Sequence, residues 1–243
     1  MAAALGLGLH PGDVAVSIGT SGVVSAVSVA ATADATGAVS GFADATGRFL
    51  PLVCTLNATK VTDAVARLLG VGHDELSALA LAAPPGAGGT VVVPYFDGER
   101  TPNLPDATGS IVGLRSDVTR ERLARAAFEG VVCGLVDALD AMAAAGVPTD
   151  AGRLLVVGGG ARSAAYPRIL ASSTGREVTV VDDPDQVAAG ACIQAAAVRT
   201  GATPLEVAES WGRGSGRTVG PDPSVDADAI RAAYRKAAAA SLH

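Results

Sequence analysis

Aromatic residues are scarce in this 243-residue sequence, 3% against 49% hydrophobic residues in all. The core must therefore be built mainly from Ala, Val and Leu, a composition suited to helices packed closely on a sheet. Cysteine is almost as rare: Cys54, Cys133 and Cys192 are odd in number, far apart and without a CxxC spacing. No disulfide framework fits that pattern, and the three are expected to be reduced core residues of a cytoplasmic protein. His10, His73 and His243 show no ligand spacing, so no structural zinc site is expected. An excess of basic charge is missing too. The net charge of −6 argues against a general nucleic-acid binder, because phosphate neutralisation needs a positive field. No run approaches about 18 uninterrupted apolar residues, and the apolar opening 1–9 has neither a basic region nor a cleavage site of a signal peptide. Neither a membrane span nor secretion is expected. The length allows one large domain or two small ones, and the reading adopted is a single domain over 1–243.

What is present is organised around Leu154-Leu155-Val156-Val157-Gly158-Gly159-Gly160-Ala161-Arg162-Ser163. Four apolar residues predict a short buried strand, and three glycines end it where no side chain intrudes. A helix is expected to follow, capped by the Ser163 hydroxyl, carrying Ile169 and Leu170 inward and closed by Gly175 in the left-handed conformation. Strand, glycine turn and helix start aim backbone N–H groups and the positive end of a helix dipole at one place, which suits a phosphate or the edge of a nucleotide. The same glycines also fit a tight βα connection in which they only relieve crowding.

A second glycine-bearing bend lies near the start. Asp13-Val14-Ala15-Val16-Ser17-Ile18 alternates as a strand does, Gly19-Thr20-Ser21-Gly22 breaks it, and Val23-Val24-Ser25-Ala26-Val27-Ser28 resumes. This predicts a hairpin whose tip offers hydroxyls and backbone donors, the groups that hold phosphate oxygens; an ordinary β-turn is the alternative. Residues 31–40 are a small, polar connection. A second hairpin is expected from Gly41-Phe42-Ala43-Asp44 and Phe49-Leu50-Pro51-Leu52-Val53. Asn57 is read as the N-cap of a helix carrying Val61, Val65, Leu68 and Leu69 to Gly70, with another helix over 74–82. Pro84-Pro85-Gly86-Ala87-Gly88-Gly89 reads as a surface loop.

Val91-Val92-Val93-Pro94 predicts a further strand, followed by a loop that gathers Tyr95, Phe96, Asp97, Glu99 and Arg100. Loops with such content after a strand often carry function, although pairing of Arg100 with Glu99 or Asp97 at the surface fits equally. Thr119 caps the longest helix, running to about residue 145, with Leu123, Ala127, Val131, Leu135, Leu139 and Met142 as its apolar stripe. Gly130 inside it costs up to about 1 kcal/mol, which implies close packing there. Glu177 to Val181 is a strand ending in Asp182 and Asp183; Pro184 is expected to open a helix capped by Asp183. Helices around 204–210 and 225–242 finish an α/β chain.

Two nucleotide readings compete. Strand, glycine turn, helix, strand and a terminal acid match the dinucleotide-binding Rossmann fingerprint. Ser163, however, stands where that fingerprint wants a third glycine or an alanine, and there is only one βαβ unit. An ATPase-type domain, in which two separate bends share one nucleotide, explains both glycine features with one ligand.

The residues then carry a resemblance. Ser17-Ile18-Gly19-Thr20-Ser21-Gly22, the run from Pro94 through Arg100-Thr101-Pro102, Gly109-Ser110-Ile111-Val112-Gly113-Leu114 leading to Leu123-Ala124-Arg125-Ala126-Ala127-Phe128-Glu129-Gly130, and Gly158-Gly159-Gly160-Ala161-Arg162-Ser163 occur in the order and spacing of the FGGY carbohydrate kinases. The chain resembles their C-terminal domain, and most of all that of the xylulose-phosphorylating members. The resemblance implies a ribonuclease-H-like, actin/hexokinase-like ATPase fold binding ATP and Mg²⁺. It implies that Gly19, Thr20 and Ser21 contact the β- and γ-phosphates, that Gly159, Gly160 and Ala161 flank the adenosine, and that Arg100 faces the cleft. The reaction implied is transfer of the γ-phosphoryl of ATP to D-xylulose; glycerol, gluconate and ribulose remain alternative substrates. Arg122 departs from the usual acid or amide of the family signature.

In the family the catalytic aspartate lies in a Gly-Asp-Asn segment just before the run matched by Ala2-Ala3-Ala4-Leu5-Gly6. The sequence is therefore expected to lack that residue, along with the N-terminal domain, its sugar contacts and the first phosphate loop. The 243 residues alone are expected to bind ATP or ADP without appreciable kinase activity, because phosphoryl transfer needs a positioned base and an enclosed phosphate. A remnant without ligand, prone to self-association through exposed apolar surface, is a third reading.

Overall fold

The computed structural model describes residues 1–183 and 185–241. Its elements run α1 (Ala2–Gly6), β1 (Val14–Ile18), β2 (Gly22–Ala26), β3 (Leu52–Thr55), α2 (Thr59–Leu69), α3 (His73–Ala82), β4 (Val91–Val93), β5 (Ser110–Val112), α4 (Arg120–Ala144), β6 (Leu154–Val157), α5 (Ala165–Thr174), β7 (Val178–Val180), α6 (Gln186–Thr200), α7 (Pro204–Ser210), β8 (Arg217–Val219) and α8 (Ala227–Ala240). A six-stranded sheet has the order β3-β2-β1-β6-β7-β8; β1, β6 and β7 are parallel, and β2, β3 and β8 extend it antiparallel. β4 and β5 form a separate antiparallel pair. A sheet with that mixture of directions is not the doubly wound parallel sheet of a dinucleotide fold.

The central strands are mostly apolar, with both faces covered; Ser17 in β1 and Thr179 in β7 are the exceptions. In β1, Val14, Val16 and Ile18 point into the larger core cluster and Ala15 into the smaller one; in β6, Leu154 and Val156 face the first and Leu155 and Val157 the second. The period of two along a strand sets that division. The larger cluster is closed by α4, whose Phe128, Val131, Leu135, Leu139 and Met142 are all buried, and by α2 and α5. Small residues let these layers approach. A Cβ at Gly130 would lie 2.1 Å from the Val92 carbonyl oxygen, so the glycine inside α4 marks where β4 crosses it. On the opposite face, a Cβ at Gly6 would lie 1.9 Å from the Gln186 carbonyl, and one at Gly190 1.8 Å from that of Ala2, which is how α1 nests on α6.

Several expectations held. The 13–28 hairpin forms, Thr119 caps α4 by accepting from Arg122 N–H at 3.3 Å, and Gly175 closes α5 with φ of 65°. Others need correction. Asn57 does not cap α2: the N-cap is Ala58, and the Asn57 amide turns inward to Gly98 and Glu99. The 41–53 segment makes only isolated bridges such as Ala43 to Phe49, because Leu52–Thr55 is drawn onto β2 instead. Cys192 is exposed on α6, not in the core. α6 begins at Gln186 with Asp185 before it, and Asp183 accepts from the Asp185 N–H at 3.0 Å; Pro184 lies outside the described residues. The glycine triplet leads first into a 3-10 turn, Gly159–Arg162, and α5 starts only at Ala165. Ser163 still serves it, accepting from Ala165 N–H at 3.1 Å.

Candidate functional site

The two glycine-bearing bends come from neighbouring parallel strands, β1 and β6, and therefore end at the same edge of the sheet. Ligands of α/β folds gather beyond the carboxyl ends of parallel strands for this reason. Between the bends lies a cavity of about 570 Å³, lined by Gly19 and Thr20 from one and by Gly159 and Gly160 from the other. That volume is in the range of small-molecule sites, about 300–1,000 Å³.

The β1–β2 bend is secured by hydrogen bonds. Ala58 N–H donates to Thr20 O at 3.0 Å and Thr59 N–H to Gly19 O at 2.9 Å, while the Ser21 hydroxyl donates to Leu56 O at 3.2 Å. Its carbonyls are thus taken up from behind and Thr20 is left exposed at the front. The β6 bend is secured by contact. A Cβ on Gly158, whose φ is 92°, would lie 2.7 Å from Ile18 O, and one on Gly160 2.4 Å from Ile18 Cγ2. At Gly159 a Cβ would meet no atom of the described residues within 4 Å, its chain neighbours aside. Two of the three glycines relieve crowding against β1, and the middle one keeps backbone bare beside open space.

The side walls come from helices read in sequence only as packing elements. Thr59, Thr62 and Asp63 of α2, with His73 and Asp74 at the start of α3, line the same cavity. Asp63 lies 3.5 Å from His73 Nδ1. Its floor is rigid: Tyr166 shares a hydrogen bond of 3.1 Å with the Thr62 hydroxyl and meets Phe128 edge-on at 4.5 Å between ring centres. Burial pushes the Tyr166 phenol well above its ordinary range, so it remains a neutral hydroxyl. Hydroxyls at 59 and 62, one turn apart and just after the strand beside the bend, were the only local signal for this wall.

The other expected residues are placed differently. Ser21 is spent on Leu56. Ala161 is buried and borders a second cavity, of about 590 Å³, on the far side of the β6 bend with Ser17 and Asp182. That space takes in neither Gly19 nor Thr20, so it does not unite the two bends. Arg100 is exposed and lines neither cavity. It does not pair with its acidic neighbours: Asp97 pairs with Lys60 at 3.1 Å, and Glu99 turns inward. Arg122, the departure from the signature, pairs with Asp117 at 2.8 Å and lies over Gly88. Among the described residues no three His, Cys, Asp or Glu side chains gather to hold a metal ion.

A family model, "FGGY family of carbohydrate kinases, C-terminal domain", matches residues 14–198. The chain belongs to that family. It is 46% identical over 215 residues to a xylulose kinase of Streptomyces rubiginosus, a match covering 88% of this chain and 43% of the relative. The crystal structure of a xylulose kinase from Bifidobacterium adolescentis superposes with a TM-score of 0.80 at 41% identity, over 97% of this chain and 45% of that one. The Plasmodium falciparum glycerol kinase solved with ADP is only 18% identical yet gives a TM-score of 0.82, a likeness of fold. This FGGY domain thus has the actin/hexokinase-like ATPase architecture, and it spans half or less of the length of these relatives.

Proposed function

We propose that these 243 residues act as one unit, the nucleotide-binding half of an ATP-dependent sugar kinase, and that the acceptor sugar is D-xylulose. The observation that carries the nucleotide reading is the single cavity into which Gly19-Thr20 and Gly159-Gly160 both open. Thr20 with Gly19 then takes the terminal phosphates through its hydroxyl and backbone N–H groups, and bare backbone at Gly159 and Gly160 lets the nucleoside approach. Ser21 fixes the bend from behind, Ala161 backs the β6 turn, and Arg100 reaches the transferring phosphate from outside the cavity. Mg²⁺ is commonly held by one or two carboxylates plus substrate phosphates; Asp63 and Asp74 are the carboxylates that line this cavity. Xylulose as acceptor rests on the identity to xylulose kinases of Streptomyces and Bifidobacterium.

Phosphorylation is assigned to a larger assembly than these residues provide, because they span only 43% of the Streptomyces relative. Positioning and charge stabilisation dominate phosphoryl transfer, and an open half-cleft neither encloses the phosphate nor excludes water. Calorimetric titration with ADP and Mg²⁺ tests the first part: heat of binding is expected, and its absence, together with no thermal shift, favours a module without ligand. A coupled assay with ATP and xylulose tests the second. Turnover in the usual kinase range, about 1–100 s⁻¹, would overturn it.

A further inference from the structure

We infer that Glu99 is a positioning residue for the Gly19-Thr20-Ser21 bend, acting through the turn that grips it; the claim about nucleotide affinity rests on the reading above, the claim about the bend does not. Glu99 is 2% exposed. A buried carboxyl group is tolerated when N–H donors surround it, and here two of the three come from the turn beside the bend and one from the loop after β4. Its Oε1 accepts from Leu56 N–H at 2.5 Å and from Arg100 N–H at 2.7 Å, and its Oε2 from Asn57 Nδ2 at 2.8 Å. Asn57 Nδ2 also donates to Gly98 O at 2.7 Å. The amide orientation is forced: turned over, its oxygen would face Gly98 O and the Glu99 carboxyl. Among the described residues, Asn57 Oδ1 is buried without a hydrogen-bond partner.

The turn so held is the one that holds the bend. Thr55 Oγ1 accepts from Gly22 N–H at 3.2 Å, Leu56 O from the Ser21 hydroxyl, and Ala58 and Thr59 N–H donate to Thr20 and Gly19. All four residues of the bend are tied to five consecutive residues whose anchor is Glu99. One oxygen, Oε1, references both that turn and the backbone of Arg100, so the loop after β4 and the bend after β1 keep a fixed relation although they are about 80 positions apart in sequence. This is what a phosphate-binding bend lacking a helix of its own requires, since backbone donors act only when held to sub-ångström accuracy.

Amide hydrogen exchange on the ligand-free chain tests the positioning directly. Glu99→Ala is expected to speed exchange at the hydrogen-bonded amides of the bend and its grip, Gly19, Gly22, Ala58 and Thr59, about tenfold or more, the loss of one charged hydrogen bond, with α4 amides around Val131 unchanged. Glu99→Gln, which keeps an oxygen for Leu56 and Arg100, is expected to restore most of the protection. Should Glu99→Ala fail to fold, Glu99→Asp withdraws the carboxyl by one methylene and is expected to expose the same four amides. Unchanged exchange at those four, or an equal rise in α4, overturns the inference. ADP titration of wild type, Glu99→Asp and Thr20→Val separates the two claims. Wild-type binding weakened about twofold or more by both variants supports the inference. Binding weakened by Thr20→Val alone removes Glu99 and leaves the nucleotide reading standing. No wild-type binding removes the nucleotide reading, and the exchange result then decides the role of Glu99 by itself.

Discussion

The two bends that face the cavity present the same chemistry, bare backbone at the end of a strand, yet are held in opposite ways. The bend after β1 hangs on directional bonds to residues 55–59, with its carbonyls occupied and Thr20 exposed. The bend after β6 is pressed onto Ile18, and only glycine at 158 and 160 permits that approach. A hydrogen-bonded bend tolerates changes of volume but not loss of a partner; a bend held by contact tolerates neither volume nor altered φ. Substitutions across the two are expected to separate accordingly.

The largest effect is expected at Gly158. A side chain there meets Ile18 O at 2.7 Å and must also adopt a φ of 92°. Strain of that kind costs about 1–3 kcal/mol and overpacking about 1–3 kcal/mol more. Gly158→Ala is therefore expected to lower the urea midpoint of unfolding strongly; an unchanged midpoint would mean the bend is not held by contact at all.

A comparable contrast exists at the far ends of the same strands. Asp13, before β1, accepts from Arg153 N–H at 2.8 Å and pairs with its guanidinium at 2.6 Å, and also accepts from His10 N–H at 3.0 Å. Burial alone would raise its pKa, but these donors outweigh burial and hold it below the ordinary 3.8. A folded pKa below the unfolded one adds stability that is complete above that ordinary value and disappears as pH falls below it. Wild type is thus expected to lose stability between about pH 5 and pH 2, and Asp13→Asn to lose less over the same interval while being weaker at pH 7. Denaturant melts at the two pH values read the difference; equal slopes would remove Asp13 as the clasp between β1 and β6.

How legible this was in sequence follows from the same distinction. The contact-held bend announced itself as three glycines after four apolar residues, and the hairpin tip as a glycine-flanked break in strand alternation, since local sterics dictate both. The bends' meeting in one cavity depended on β1 and β6 pairing in parallel across about 140 residues, which no local pattern dictates and which the ATPase-type reading and the family likeness anticipated. Asn57 misled because a cap and a buried donor have the same local sequence; the choice was made by Glu99, 42 positions away. The helical wall of Thr59 and Thr62 was invisible for a related reason: the apolar stripe of α2 indicates which face is buried and says nothing about what the remaining face borders. The loop after β4 was singled out for its charged content, but which of its charges turns inward was not legible: Glu99 is buried and Arg100 is exposed.

Thr20→Val is next in size. It removes a hydroxyl at an exposed position without changing shape, so the free energy of unfolding is expected to stay within about 0.5 kcal/mol of wild type. ADP affinity is expected to fall by about 0.5–1.5 kcal/mol, the net worth of one hydrogen bond. Unchanged affinity in a calorimetric titration would take Thr20 out of the site.

Gly159→Ala carries the smallest effect on folding and draws the sharpest line between the bends' structural and binding roles. With no atom within 4 Å of the added methyl group, its stability is expected to match wild type within about 0.5 kcal/mol, the ordinary range for open surface positions. Gly159 lines the cavity, so nucleotide affinity is expected to drop even though the fold does not notice. A variant that unfolds earlier would mean that crowding explains all three glycines. One that folds and binds ADP as wild type does would mean that Gly159 keeps no room for a ligand, and that the nucleoside lies against Gly160 alone.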